Sequence, residues 1–210
     1  MLKKITKGLS SLFIASTLFS TFSYSGDAVA GKISYAVCAA CHGVNGEGNK
    51  LTHAPRLAGQ NEWYLTASLK KFKTNERGYH SKDMYGMQMK GMVATLPNAK
   101  SINDVVAYIA TLKTEISIDT IKGDVAKGKA LFMICSSCHS PDGSGNEAMS
   151  APKINGQHGW YINDQLKAFK TGLRGTQKAD ATGAQMVGMA ATLVDNQAIA
   201  DVTAYIQTLK

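Results

Sequence analysis

The chain has 210 residues, of which 44% are hydrophobic and 18% charged, with 20 glycines, 4 prolines and 4 cysteines. That length makes one large domain or two small ones, and the composition excludes a collagen-like, Pro-rich or strongly charged disordered chain. Four cysteines are too few for a disulfide scaffold, and the formal net charge of +8 taken alone invites a nucleic acid or another acidic partner.

In chain order, Lys3, Lys4 and Lys7 come first, then an uncharged stretch from Leu9 to Phe22 and small residues around Ser23–Ser25. This is the layout of a secretory signal peptide. The uncharged run from Gly8 to Gly26 is nearly long enough to span a membrane, but its six serines and two threonines make a poor lipid-facing helix. Cleavage fits after Ser23-Tyr24-Ser25, before Gly26, or after Ala28-Val29-Ala30, before Gly31. A short helix is expected from about Asp27 into Cys38, followed by Cys38-Ala39-Ala40-Cys41-His42 and a glycine-rich turn at Gly46-Glu47-Gly48. Asn61 to Thr74 reads as an amphipathic helix through Trp63, Tyr64, Leu65, Leu69 and Phe72. Ser101 to Lys113 is another, with Ser101 as N-cap and Ile102, Val105, Val106, Ile109 and Leu112 on one stripe.

The rest of the chain repeats this pattern at an offset of 97 residues. Cys135-Ser136-Ser137-Cys138-His139 answers the first Cys-x-x-Cys-His, and Gly123-Asp124, Gly128-Lys129, Pro152, Gly156-Gln157, Trp160-Tyr161 and Ala204-Tyr205-Ile206 answer their counterparts. Residues 26–113 and 123–210 align without a gap at 41 identities in 88 positions. The chain is therefore a tandem duplication, with residues 1–25 as signal peptide, 26–113 as the first domain, 114–122 as linker and 123–210 as the second domain. Because Asp27 matches Asp124, the first half needs its Gly-Asp start, which favours cleavage before Gly26. The linker residues Ile116, Ile118 and Ile121 are expected to pack across the domain surfaces. No segment shows sustained period-two alternation, so the fold class is all-α. Each half is a few short helices whose own core would be marginal, so something else must complete it.

Cys-x-x-Cys-His is the attachment signature of a covalent haem. Two thiols add to the haem vinyl groups, and the next histidine becomes the iron's proximal ligand. A thioredoxin-like redox pair or half a zinc site is opposed by the histidine after both pairs, by export and by the lack of a βαβ pattern. The cofactors expected are two haems c, held by Cys38 and Cys41 with His42, and by Cys135 and Cys138 with His139. His53, His80 and His158 have no counterpart in the other half, which sets them aside as sixth ligands, as it does Met84, Met87, Met133 and Met149. Met89/Met186 and Met92/Met189 both repeat, the first pair 47 residues after its histidine, and spacing leaves both open.

Gly-Asp-x-x-x-Gly-Lys before the first Cys, Pro-x-Leu/Ile-x-Gly-Gln after it, and a late Met seven residues before a Leu resemble the dihaem cytochrome c4 family. These are exported bacterial proteins of two fused class I cytochrome c domains. The resemblance implies that Met89 and Met186, seven residues before Leu96 and Leu193, are the axial ligands, and that the Pro55 and Pro152 carbonyls accept the proximal imidazole N–H. It also implies that haem propionates meet at the domain interface, where Arg77 and Arg174 could neutralise them. Pro97, where the other half has Val194, departs from the repeat but leaves the ligand spacing intact.

An iron closed by His and Met leaves no position for substrate, which points to electron transfer and not to an enzyme. The expected function is a periplasmic electron carrier, loosely membrane-associated or diffusible and monomeric, between a quinol-oxidising complex and a terminal oxidase. The alternative is the electron-transfer subunit of a periplasmic dehydrogenase. Without the presequence the charge falls to +5, and residues 26–113 carry 11 basic and 6 acidic side chains against 8 and 7 in residues 123–210. Export makes nucleic acid an unsuitable partner. Lys70, Lys71 and Lys73 are expected to form a face that docks an acidic redox partner.

Overall fold

The computed structural model describes residues 26–115 and 121–209, so the signal peptide expected at 1–25 and the linker residues Ile116 and Ile118 lie outside the described residues. Among the described residues there are eight α-helices, one turn of 3-10 helix at Glu147–Met149 and no strand. The first domain holds α1 (Ala28–His42), α2 (Glu62–Lys73), α3 (Met84–Val93) and α4 (Ala99–Thr111); the second repeats them as α5 (Val125–His139), α6 (Gly159–Lys170), α7 (Ala181–Ala191) and α8 (Asn196–Ile206). No helix among the described residues is long and apolar enough to cross a membrane.

The Gly-Asp-x-x-x-Gly-Lys pattern is the joint between first and last helix of each domain. Asp27 caps α1 by accepting from Val29 N–H at 2.8 Å and from Ala30 N–H, which satisfies two of the helix's orphan donors. Its own N–H donates to Asp104 Oδ1 at 2.8 Å. A Cβ on Gly31 would stand 1.9 Å from the Asp104 carbonyl oxygen, so only glycine lets α1 cross α4 this closely. The joint recurs with Asp124 N–H on Asp201 Oδ1 at 2.8 Å and Gly128, whose Cβ would stand 2.0 Å from the Asp201 carbonyl oxygen. The hydrogen bond from Lys100, and then that from Asp27 N–H, hold the Asp104 carboxyl below the usual range.

Under each joint lies a small apolar core. Tyr35, Leu65, Leu96, Ile102, Val105 and Ile109 pack in the first domain, and Phe132, Ile162, Leu193, Ile199, Val202 and Ile206 in the second. The α4 stripe is as expected, but its start is not Ser101. Asn98 is the N-cap, its side chain accepting from Ser101 N–H at 3.0 Å while Ser101 Oγ accepts from Asn98 N–H at 3.2 Å. This capping box makes Ser101 the third helical residue. Helix α3 carries no clear sequence signal, because Gly86 and Gly91 weaken its propensity and no clear apolar period runs through it. Asp83 starts it by accepting from Gly86 N–H at 2.9 Å. Lys73 and Lys170 tie the ends of α2 and α6 to the Leu96 and Leu193 carbonyls.

Candidate functional site

Cys38, Cys41 and His42 occupy the last turns of α1, which stops at Gly43 in the left-handed region at φ 83°. The chain turns there and brings Pro55 back beside the histidine. His42, 6% exposed, places Nδ1 2.8 Å from the Pro55 carbonyl. A carbonyl can only accept, so Nδ1 carries the proton and Nε2 keeps its lone pair for a metal. Burial lowers the imidazole pKa, partly opposed by that hydrogen bond, which favours the neutral ring that ligation needs. His139 repeats the arrangement at the end of α5, with Nδ1 2.7 Å from the Pro152 carbonyl and the same direction of shift for the same causes. The thiols of Cys38 and Cys135 are pushed up by burial, and none of the four cysteines is in a disulfide.

A cavity of about 530 Å³ opens beside Cys38, Cys41 and His42. Leu65 and Phe72 supply apolar wall, and Met89 and Met92 on α3 both line it. Both are half-buried, whereas Met84 and Met87 are 66% and 45% exposed. Met186 and Met189 hold the equivalent places on α7 and are also half-buried, while Met133 and Met149 lie exposed. The first domain does not close its own cavity: Trp160 and Tyr161 of the second domain form part of the wall. The Trp160 ring also packs edge-on against His53 at 5.6 Å and stacks on His158 at 5.5 Å. The unmatched histidines His53 and His158 thus sit at the domain interface, and the partly buried His80 accepts from Lys82 N–H at 3.1 Å.

The cavity's polar side is cationic. Arg56 and Arg77 are buried and Arg174 is half-buried; all three line the cavity. Arg77 lies 4.4 Å over the Phe72 ring and Arg174 4.5 Å over Phe169, so neither is an exposed helix-end arginine. Arg174 also donates across the interface to Tyr64 Oη at 3.2 Å. Burial would push the Tyr64 phenol up, but Arg174 and Arg77 outweigh it and bring it down to about 7. Among the described residues none of the three arginines is ion-paired with a carboxylate, and Arg56 Nε and Nη2 and Arg174 Nε lack any hydrogen-bond partner. Buried guanidinium groups without acceptors are costly. An apolar slot with two thiols and an imidazole at one end and unpaired guanidinium groups at its edge fits a haem, with its apolar ring and anionic propionates.

Arg56 is specified by none of the sequence motifs, and the positive charge kept by its counterpart Lys153 is the available sequence signal for it. The lysine face expected on α2 does not form. Lys71 reaches across to Asp180 and Thr182, and Lys73 is held by the Leu96 carbonyl. Two long flexible cations found buried acceptors nearby, which leaves Lys70 alone as a simply exposed member of the three.

The cytochrome c family model matches this chain twice, over residues 28–113 and 125–210. The chain belongs to the cytochrome c family. Cytochrome c4 of Pseudomonas aeruginosa is 33% identical over 98% of this chain and 100% of its own length, which places the chain among the dihaem cytochromes c4. The crystal structure of reduced recombinant cytochrome c4 from Pseudomonas stutzeri superposes with a TM-score of 0.69 at 33% identity, covering 89% of this chain and all of that one. A thiosulfate dehydrogenase electron acceptor of Thiomonas intermedia is 32% identical over 66% of this chain and 65% of its own. Two haems c are thus attached covalently to this cytochrome, one per domain at each Cys-x-x-Cys-His, and its role is electron transport.

Proposed function

We propose that this cytochrome is a monomeric periplasmic carrier, exported by a cleaved signal peptide at residues 1–25, that takes electrons from a quinol-oxidising complex and passes them towards a terminal oxidase. In this reading Cys38, Cys41, Cys135 and Cys138 form the thioethers, and His42 with Met89 and His139 with Met186 hold the two irons. The observation that carries it is the paired arrangement of a neutral, carbonyl-tethered histidine and a methionine-bearing helix along one apolar cavity. When bound, the haems supply a one-electron couple whose potential a thioether ligand raises. The chain's part is to orient each imidazole by its proline carbonyl, exclude water with Leu65, Phe72 and Trp160, and offer guanidinium groups to the propionates.

The choice of Met89 over Met92 rests on the family spacing and is tested by paired variants of the haem-loaded protein. Met89→Ala and Met186→Ala should each lower one haem's potential and open it to carbon monoxide, with Met92→Ala leaving both haems closed. If Met92→Ala opens a haem and Met89→Ala does not, the ligand assignment is wrong.

A second reading, an electron-transfer subunit of a dehydrogenase, is favoured by the likeness to the Thiomonas intermedia electron acceptor. A haem-stained native gel of periplasm and salt-washed membranes separates the two. The carrier reading expects a band at the size of the mature chain; a haem band that stays with a larger protein through high salt supports the subunit instead.

A further inference from the structure

Each proline carbonyl that orients a proximal histidine belongs to a peptide group whose other end is held by the opposite domain. In the first domain the Pro55 carbonyl accepts from His42 Nδ1–H at 2.8 Å. The N–H of the same peptide group, on Arg56, donates to Gln157 Oε1 of the second domain at 3.0 Å. In the second domain the Pro152 carbonyl accepts from His139 Nδ1–H at 2.7 Å, and the N–H of that peptide group, on Lys153, donates to Asn61 Oδ1 of the first domain at 2.7 Å.

The two holders are not counterparts. Gln157 matches Gln60 in the repeat, and Asn61 matches His158. Gln157 also donates from Nε2 to the Arg56 carbonyl at 2.9 Å, so it grips both sides of one residue. On the other side the grip is divided. Gln60 Nε2 donates to the Lys153 carbonyl at 3.0 Å and its Oε1 accepts from Asn61 N–H at 2.9 Å, as Gln157 Oε1 does from His158 N–H at 3.0 Å, but it is Asn61 Oδ1 that accepts from Lys153 N–H at 2.7 Å. His158 makes no such contact and instead donates from Nε2 to the Glu47 carbonyl at 2.7 Å. The matched Gln60 and Gln157 thus each donate to the residue after the opposite proline, whereas the N–H of that peptide group is accepted by Gln157 in one case and by the unmatched Asn61 in the other.

A peptide group is one resonance unit. Donating a hydrogen bond from its N–H moves electron density towards its oxygen, and hydrogen bonds in such chains strengthen one another by roughly 10–30%. A stronger carbonyl acceptor pulls harder on the imidazole Nδ1–H and makes Nε2 the more basic ligand, which favours the oxidised iron. We propose that Gln157 and Asn61 are positioning residues that each tune the haem of the opposite domain, acting through the Pro55–Arg56 and Pro152–Lys153 peptide groups. The inference rests on the reading of His42 and His139 as iron ligands.

The test uses the haem-loaded full chain, with the two potentials resolved by spectroelectrochemical titration and assigned by the NMR signals of the haem methyl groups. Gln157→Met removes the acceptor at similar length and should raise the first domain's haem, shifting its oxidised-to-reduced ratio about threefold, or ~30 mV at 59 mV per tenfold. Asn61→Leu should do the same to the second domain's haem, each variant leaving its own domain's haem in place. Gln157→Asn, which keeps the amide but shortens its reach, should move the first haem in the same direction. Tyr79→Phe removes another cross-domain contact, to Thr176, without touching either peptide group, and should move neither haem. Equal shifts in both haems, a shift confined to the mutated domain, or an equal response to Tyr79→Phe would overturn the proposal and leave these residues as interface contacts. The underlying ligand reading is checked separately: His42→Gly should lose one haem's low-spin spectrum, and added imidazole should restore it.

Discussion

The two domains keep the same residues at the joints where each folds on itself and only some of them where they meet. Gly31 and Gly128, Asp104 and Asp201, and the α4 and α8 stripes are matched, and the helix crossings they build are nearly superimposable in kind. At the contact between domains Gln60 and Gln157, Tyr64 and Tyr161, and Arg77 and Arg174 still match, but their neighbours do not: Arg56 faces Lys153 in the alignment, Asn61 faces His158, Lys71 faces Ala168 and His53 faces Ser150. A duplicated fold needs its internal joints twice, but its two halves present different partners to each other and are free to divide the work. The difference shows at one cavity, where Arg56 and Arg77 of the first half and Arg174 of the second meet the Trp160 and Tyr161 rings of the second half.

The matched joints carry the largest expected effect. Gly31→Ala and Gly128→Ala each push a methyl group onto a backbone carbonyl, and each should cost about 1–3 kcal/mol in chemical denaturation of the haem-loaded protein. A large loss from one and none from the other would break the equivalence of the two crossings. At the unmatched contact, Lys71→Ala leaves Asp180, 1% exposed, without its cation but still bonded to Gly183 N–H at 2.9 Å. The expected loss is about 1–3 kcal/mol, with the domains separating at lower denaturant. The smallest effect sharpens the comparison from the other side. Asp83 is the counterpart of Asp180 and Ala168 of Lys71, so if the halves meet as mirror partners Ala168→Lys should create the missing tie and add about 0.5 kcal/mol. No gain in melting temperature would mean that the halves do not meet as mirror partners there.

Much of this was readable in the chain itself. A helix starting at about Asp27, the α4 stripe and the two Cys-x-x-Cys-His sites are local signals, written in spacing and residue type, and the internal repeat doubled each of them. Asn98 does not stand out as the cap in sequence, because either member of a capping box can be read as its start until the backbone is seen. Helix α3 was hidden by its glycines, since its formation depends on packing against α2 and not on propensity. The fates of Lys71 and Arg56 could not be read, because their acceptors and neighbours lie on the far side of an interface, and side-chain type alone says nothing about what stands opposite. Gln157 stood out in sequence as part of a repeated motif, yet its grip on Arg56 is a relation between halves.

Trp160 and Tyr161 closing the first domain's cavity has a consequence for how the protein is made. In the proposed export the chain crosses the membrane behind its N-terminal signal, so Cys38 and Cys41 emerge before the residues that wall them in. The first attachment site is open-sided during that interval, and it is sealed when α6 folds against it. The second half therefore acts on the first as a late-arriving door: maturation machinery has free access to the first pair of thiols early, and the same surface is withdrawn once the chain is complete.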